Sequence, residues 1–233
     1  MSLRLLLSKS GQGCPPEGTL PFIDHALHNG FDGVYLKTQT AADGLPYLFS
    51  EETTHRLCGE GGFFGYCDTV EQLRLDGHAI ASLHSTLLHL QATAKRTFMV
   101  HIHALHPRAL EATAQLLQQF HQRFPRGHLR FLLICADAPA IQTAKRRYPE
   151  MTFALYMVGV PLSYAQDAAT CLADAVYLPE EFHSTTLIRD AQAKHLSVYV
   201  EGVPNTAHLH RLLSLSIDGA AGTSLLRNMD TPL

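Results

Sequence analysis

The sequence predicts an α/β protein built as a (β/α)8 barrel. Three observations lead there. Eight short segments, at 3–7, 33–37, 98–103, 130–135, 152–157, 174–178, 197–201 and 217–221, are apolar almost throughout, as parallel strands buried on both faces are. Stretches with apolar residues at helical spacing lie between them. The length of 233 residues suits a barrel of this kind as one domain.

The elements follow in order. Leu3 to Leu7 carries Arg4 and is short, so it reads as a strand rather than as a signal peptide. Residues 19–29 place Leu20, Ile23, Ala26 and Leu27 on one helical face, and 33–37 is the second strand. Asp43-Gly44 marks a tight turn. About sixty residues then precede the third strand, too many for an ordinary strand-to-helix connection. They include four glycines from Gly59 to Gly65 and the pair Phe63-Phe64. We read an insertion at about 50–80 over one rim of a single domain spanning 1–233. Beyond strand three, 108–124 repeats Leu110, Ala114, Leu117 and Phe120, and 139–147, 184–195 and 206–215 have the same helical character. A doubly wound sheet is the alternative. Its Gly-x-Gly-x-x-Gly is missing: Gly11-Gln-Gly13 lacks the third glycine, and Pro15-Pro16 block the helix that should follow.

Composition narrows the function. Apolar residues make up 46% and charged residues 17%, enough for a core, and the net charge of -3 gives no general attraction to nucleic acid or an anionic membrane. No apolar run is long enough to span a bilayer. The five cysteines are scattered without a Cys-x-x-Cys pair, which suggests reduced thiols and a cytoplasmic setting. The 15 histidines mostly lack ligand spacing.

Several motifs occur in a telling order. Pro16-Glu-Gly-Thr19 follows strand one, Gly30-Phe-Asp-Gly-Val34 enters strand two, and Asp43-Gly44 leaves it. Ile80-Ala-Ser-Leu83 follows the insertion; Val198-Tyr-Val200 and Ile217-Asp-Gly219 mark the last two strands. Together these resemble the glycerophosphodiester phosphodiesterase family, of the PLC-like phosphodiesterase TIM-barrel superfamily, over nearly the whole chain. The resemblance implies a TIM barrel with function at the C-terminal mouth, a phosphoric diester hydrolase ancestry and a link to lipid metabolism. It also implies a divalent cation such as magnesium or calcium on carboxylates, with two histidines as acid and base.

The residues at the family's functional positions differ. Ser8 and Lys9 stand where the resemblance implies His and Arg, Tyr35 and Lys37 where it implies Glu and Asp. Ser50 and Glu51 stand for the His-Asp pair, and His101 and His103 for the Glu and Lys of strand three. Glu201-Gly202 replace Trp-Thr, and Gly222-Thr223 replace Thr-Asp. A serine is no acid or base near neutral pH, and a protonated lysine repels a cation, so the inherited mechanism should not run.

Residues two apart on a strand share a face, so Tyr35 joins Lys37 and His101 joins His103. We expect a pseudoenzyme without catalytic residues or cofactor, binding a small anionic or phosphorylated ligand through Lys9, Glu17, Lys37, His101, His103 and Glu201. Protonated histidines would strengthen that binding as pH falls. The alternatives are an active phosphoric diester hydrolase using other residues, a salt bridge from Lys37 to Glu17 or Glu201, and a metal site on His101 and His103 with His106 near in sequence. A protein partner could dock through Phe63, Phe64 and Tyr66 of the insertion. Gly18 in place of the family's Asn is expected to loosen the first loop. Asp137 faces the mouth or caps a helix, and Lys145 to Arg147 form a solvated basic face.

Overall fold

The computed structural model describes residues 3–9, 13–58 and 61–223. Gly11 and Gln12 of the glycine run, and Gly59 of the insertion, lie outside them. The elements are β1 (Arg4–Lys9), α1 (Leu20–His28), β2 (Gly33–Thr40), β3 (Pro46–Leu48), α2 (His55–Cys58), β4 (Arg74–Leu75), β5 (His78–Ala79) and α3 (Leu83–Thr93). They continue with β6 (Phe98–Ala104), α4 (Pro107–Arg123), β7 (Leu129–Cys135), α5 (Ala138–Arg147), β8 (Phe153–Tyr156) and α6 (Gln166–Thr170). Last come β9 (Ala175–Pro179), α7 (Thr185–Ala193), β10 (Ser197–Val203), α8 (Thr206–Leu213) and β11 (Gly219–Thr223).

Eight of the strands pair in parallel in the ring β1-β2-β6-β7-β8-β9-β10-β11, and β1 closes it by pairing with β2 at Leu6↔Gly33 and Leu7↔Val34. This is the (β/α)8 TIM barrel expected from the apolar segments. Alternation along each strand sorts the side chains into two cores. Leu7, Val34, Val100, Leu133 and Val176 face the helices, while Leu6, Tyr35, Ile134, Ala154, Ala175, Tyr177 and Ala221 fill the interior. The interior mixes aromatic rings with very small residues. Gly219 is required where it sits, because a Cβ there would lie 2.9 Å from the Tyr199 ring.

The bottom of the barrel repeats one device. Asp32, Asp174 and Asp218 each stand just before a strand, and their carboxylates accept from the backbone N–H of Leu5, Phe153 and Val198 at 3.0, 2.8 and 2.8 Å. Each Asp also donates its own N–H to the carbonyl of that same residue. The N-terminal end of one strand is thereby tied to the next. This explains the Asp in two of the sequence motifs as stabilising rather than functional.

The helices carry ordinary end signals. Asp137 accepts from Ala140 N–H at 2.8 Å and caps α5, and His106 Nδ1 accepts from Ala109 N–H at 3.2 Å and caps α4. His106 is thus not a partner of His101 and His103. The basic run on α5 is not simply solvated: Lys145 Nζ reaches the Asp174 carboxylate at 2.8 Å, across to β9.

Between β2 and β6 the chain does more than cap the rim. β3 turns back antiparallel on β2, β4 and β5 make a small hairpin, and α3 is the regular barrel helix, capped by Ser82 onto Ser85 N–H at 3.1 Å. The helix escaped sequence reading because Leu88, His84 and His89 blur its apolar face of Leu83, Leu87 and Leu90. The insertion has its own core of Ala41, Phe49, Phe64, Val70, Leu73, Leu75 and Ile80, in which Phe49 and Phe64 stack at 4.3 Å. The aromatic run therefore divides: Phe64 is buried, while Phe63 and Tyr66 are exposed. All five cysteines are thiols. Among the described residues no helix is long and apolar enough to cross a membrane.

Candidate functional site

Parallel pairing of β2 with β6 places Tyr35 beside His101 and Lys37 beside His103. All four lie on the interior side, stacked in two layers toward the C-terminal mouth. The lower layer holds Tyr35 and His101 with Tyr177 and Tyr199. Tyr35 stacks on Tyr177 at 5.1 Å, Tyr177 on Tyr199 at 5.6 Å, and His101 meets Tyr199 edge-on at 4.8 Å. The upper layer holds Lys37, His103, Tyr156 and Glu201. The His103 ring lies 4.3 Å from that of Tyr156, whose hydroxyl donates to Glu201 Oε1 at 2.6 Å. Nδ1 of His103 and the Tyr35 hydroxyl are hydrogen-bonded at 2.6 Å and join the layers.

Burial decides the charges. It lowers the pKa of His101 to about 3, and that of His103 also to about 3, with the Lys37 ammonium adding to the shift of His103. Both imidazoles are neutral at physiological pH. Burial likewise raises Tyr35 and Tyr177 well above the phenol range, so both keep their protons. For Tyr156, burial comes first and the Glu201 hydrogen bond second, again upward.

One small cavity opens beside this network, lined by Ser8, Glu17, Tyr35, Lys37 and Ser50, with Phe49 among its apolar walls. Its enclosed part is about 20 Å³, room for roughly one water molecule. Ser8 is 4% exposed, and its Oγ has no hydrogen-bond partner. The cavity wall is kept tight by Gly18. Its φ is +83°, and a Cβ there would lie 2.3 Å from the Leu48 carbonyl oxygen. The expected loosening of the first loop at Gly18 is therefore not found: only glycine fits that approach.

The fates of the sequence candidates differ. Glu17, Lys37, Ser8, Tyr35 and Ser50 come together at this cavity. Lys9 does not: it is exposed, because alternation along β1 turns Ser8 inward and Lys9 outward. His101 and His103 are inside the barrel but uncharged, so they add no positive charge to the mouth. Glu201 is buried beside Tyr156; Oε1 takes the tyrosine and Oε2 has no partner, so the salt bridge from Lys37 to Glu201 does not form. His55 is exposed on the insertion.

Among the described residues no three His, Cys, Asp or Glu side chains are grouped as ligands for a metal ion. The donors at the relevant positions are a protonated phenol, an ammonium, and imidazoles held by phenols and aromatic rings. That set does not fit a divalent cation.

Sequence reasoning passed over Tyr156, Tyr177 and Tyr199. A signal existed: each lies inside a strand segment, and Tyr199 shares the parity of Glu201.

No family model matches the sequence, and no curated protein matches it. Solved structures do. A phosphodiesterase from Oleispira antarctica, determined with its product sn-glycerol-3-phosphate, matches with a TM-score of 0.84 at 16% identity, over 98% of this chain and 95% of that one. The fold is that of the glycerophosphodiester phosphodiesterases. The enzyme of that name from Agrobacterium tumefaciens matches with a TM-score of 0.75 at 18% identity over 98% of this chain and 100% of its own. The glycerophosphodiester phosphodiesterase from Thermotoga maritima does so with 0.74 at 15% over 98% and 97%. The likeness covers the barrel and insertion alike.

Proposed function

We propose that this chain is a degenerate member of the glycerophosphodiester phosphodiesterase superfamily, binding a small anion at its barrel mouth without a metal and without hydrolysis. The observation that carries the reading is the cavity shared by Lys37 and Ser8. A buried hydroxyl without a partner is costly unless a ligand or water completes it. Here it lines the same space as an ammonium, which favours an anionic oxygen.

The size of the enclosed space sets how the anion sits. One oxygen enters beside Ser8 and Lys37, and the rest of the group stays above in the mouth. A phosphate or phosphate monoester suits this, having several equivalent oxygens around one centre. The Oleispira neighbour, which holds sn-glycerol-3-phosphate, supports the same ligand class. Neutral His101 and His103 contribute shape and polarity, not charge, so binding should not strengthen through the histidine range.

The test is thermal stabilisation by inorganic phosphate, with and without EDTA. Stabilisation of a few degrees that survives EDTA and disappears in Lys37→Ala is the expected result; about 1 kcal/mol of binding linkage gives roughly 2–4 °C in a chain of this size. Stabilisation that requires a divalent metal, or metal-dependent turnover of a glycerophosphodiester, would overturn the reading in favour of an active hydrolase.

A further inference from the structure

A second opening lies across the mouth from Lys37, between the ends of β7 and β8. It is a groove of about 410 Å³, within the usual range for small-ligand sites. Its walls are apolar: Ala136, Leu155, Met157, Val158 and Val160, with the Tyr156 ring at its inner side. Val158 and Val160 are exposed, and Leu162 in the same loop is fully so. Four large apolar residues in one short loop, Val158, Val160, Leu162 and Tyr164, are more than scattered surface hydrophobicity. The one charged residue lining the groove is Asp167, an acid, so an anionic group has no partner there.

The groove is continuous with the polar cavity through three side chains. Tyr156 lines the groove and packs on His103 at 4.3 Å. His103 bonds Tyr35 at 2.6 Å, and Tyr35 lines the cavity with Lys37. β2 and β8 are second and fifth in the ring, so this row crosses the mouth. A positive polar end and an apolar end are thus joined by one surface.

Building on the anion reading above, we propose that the ligand is an amphiphile: a single-chain phosphate monoester with its phosphate at Lys37 and its alkyl chain in the Val158–Val160 groove. The charge pattern assigns the two ends. The ammonium takes the head, and Asp167 keeps the head out of the groove. The bound form is a free monomer, because the head must reach a recessed cavity while the chain lies along the mouth.

The experiment is calorimetric titration of the full chain with inorganic phosphate, butyl phosphate and decyl phosphate, each below its micellar concentration. Affinity is expected to rise at least tenfold from phosphate to decyl phosphate, since two buried methylene groups suffice for that. In Val158→Asp/Val160→Asp, whose folding is checked by melting, the gain with chain length should be lost. Equal affinity for all three phosphates would overturn the amphiphile while leaving the anion reading in place. No binding of any phosphate would overturn both. Decyl maltoside binding as tightly as decyl phosphate would also overturn the proposal, because the head would then be irrelevant. So would sedimentation with anionic phospholipid vesicles without binding of monomeric decyl phosphate, which would point to a bilayer surface.

Discussion

The Tyr35 hydroxyl lies 2.6 Å from Nδ1 of His103, two residues further along the neighbouring strand of the barrel interior. Phenol and imidazole are both buried and both neutral, so the pair satisfies itself with no ion. Removing one partner leaves the other stranded. Tyr35→Phe should lose about 1–3 kcal/mol of stability. Urea unfolding would measure it, and Tyr35→Phe/His103→Phe should recover part of the loss, because no buried polar atom is then left without a partner.

Acid should weaken the fold through the two histidines. Folded His101 has a pKa of about 3, whereas an unfolded histidine titrates near ~6.5. Between those values the unfolded chain binds the extra proton, so stability falls as pH falls from the unfolded value toward the folded one. His101→Phe removes one such group, and its Nε2 has no hydrogen-bond partner to lose. Compared with wild type, the variant should lose about 2 kcal/mol less between pH ~7 and ~5 by urea unfolding. An unchanged pH dependence would show that the imidazole is not held neutral.

Magnesium or calcium should leave the melting temperature unchanged and should produce no release of glycerol phosphate from a glycerophosphodiester. The donors that meet at the mouth, Tyr35, Lys37 and His103, carry no anionic charge to hold a cation. Calorimetry with each metal, beside a turnover assay, measures both halves of this prediction.

Gly18→Ala should cost more than about 1 kcal/mol, since a left-handed backbone and a contact with the Leu48 carbonyl oppose any side chain there. Because Gly18 lines the same cavity as Lys37, the response to inorganic phosphate should weaken too. A variant as stable as wild type would mean that the loop can move away from β3.

Asp174→Ala gives the opposite split. Its carboxylate holds Phe153 N–H and the Lys145 ammonium at the bottom of the barrel, far from the mouth. Stability should fall by about 2 kcal/mol, while the thermal shift with phosphate, measured relative to the variant's own melting point, stays as in wild type.

Much of this protein was legible before any coordinates. The eight strands are short, strongly apolar and separated by helical periodicity, so each announces itself locally, and a ring of eight parallel strands is the arrangement that buries them on both faces. Parity along β2 and β6 likewise put Tyr35 with Lys37 and His101 with His103. Other features depended on packing that no local pattern encodes. Lys9 turns away because the strand's alternation places Ser8 inward instead. The histidines lose their charge because Tyr177 and Tyr199, distant in sequence, close over them. Gly18, which reads as a weakened loop in one dimension, is the residue that lets that loop touch β3. The sequence by itself determined which elements form and which side chains share a strand face, since both follow from periodicity. Tertiary structure alone decided which of those side chains are desolvated, and desolvation sets their charge and hence the chemistry open to the mouth.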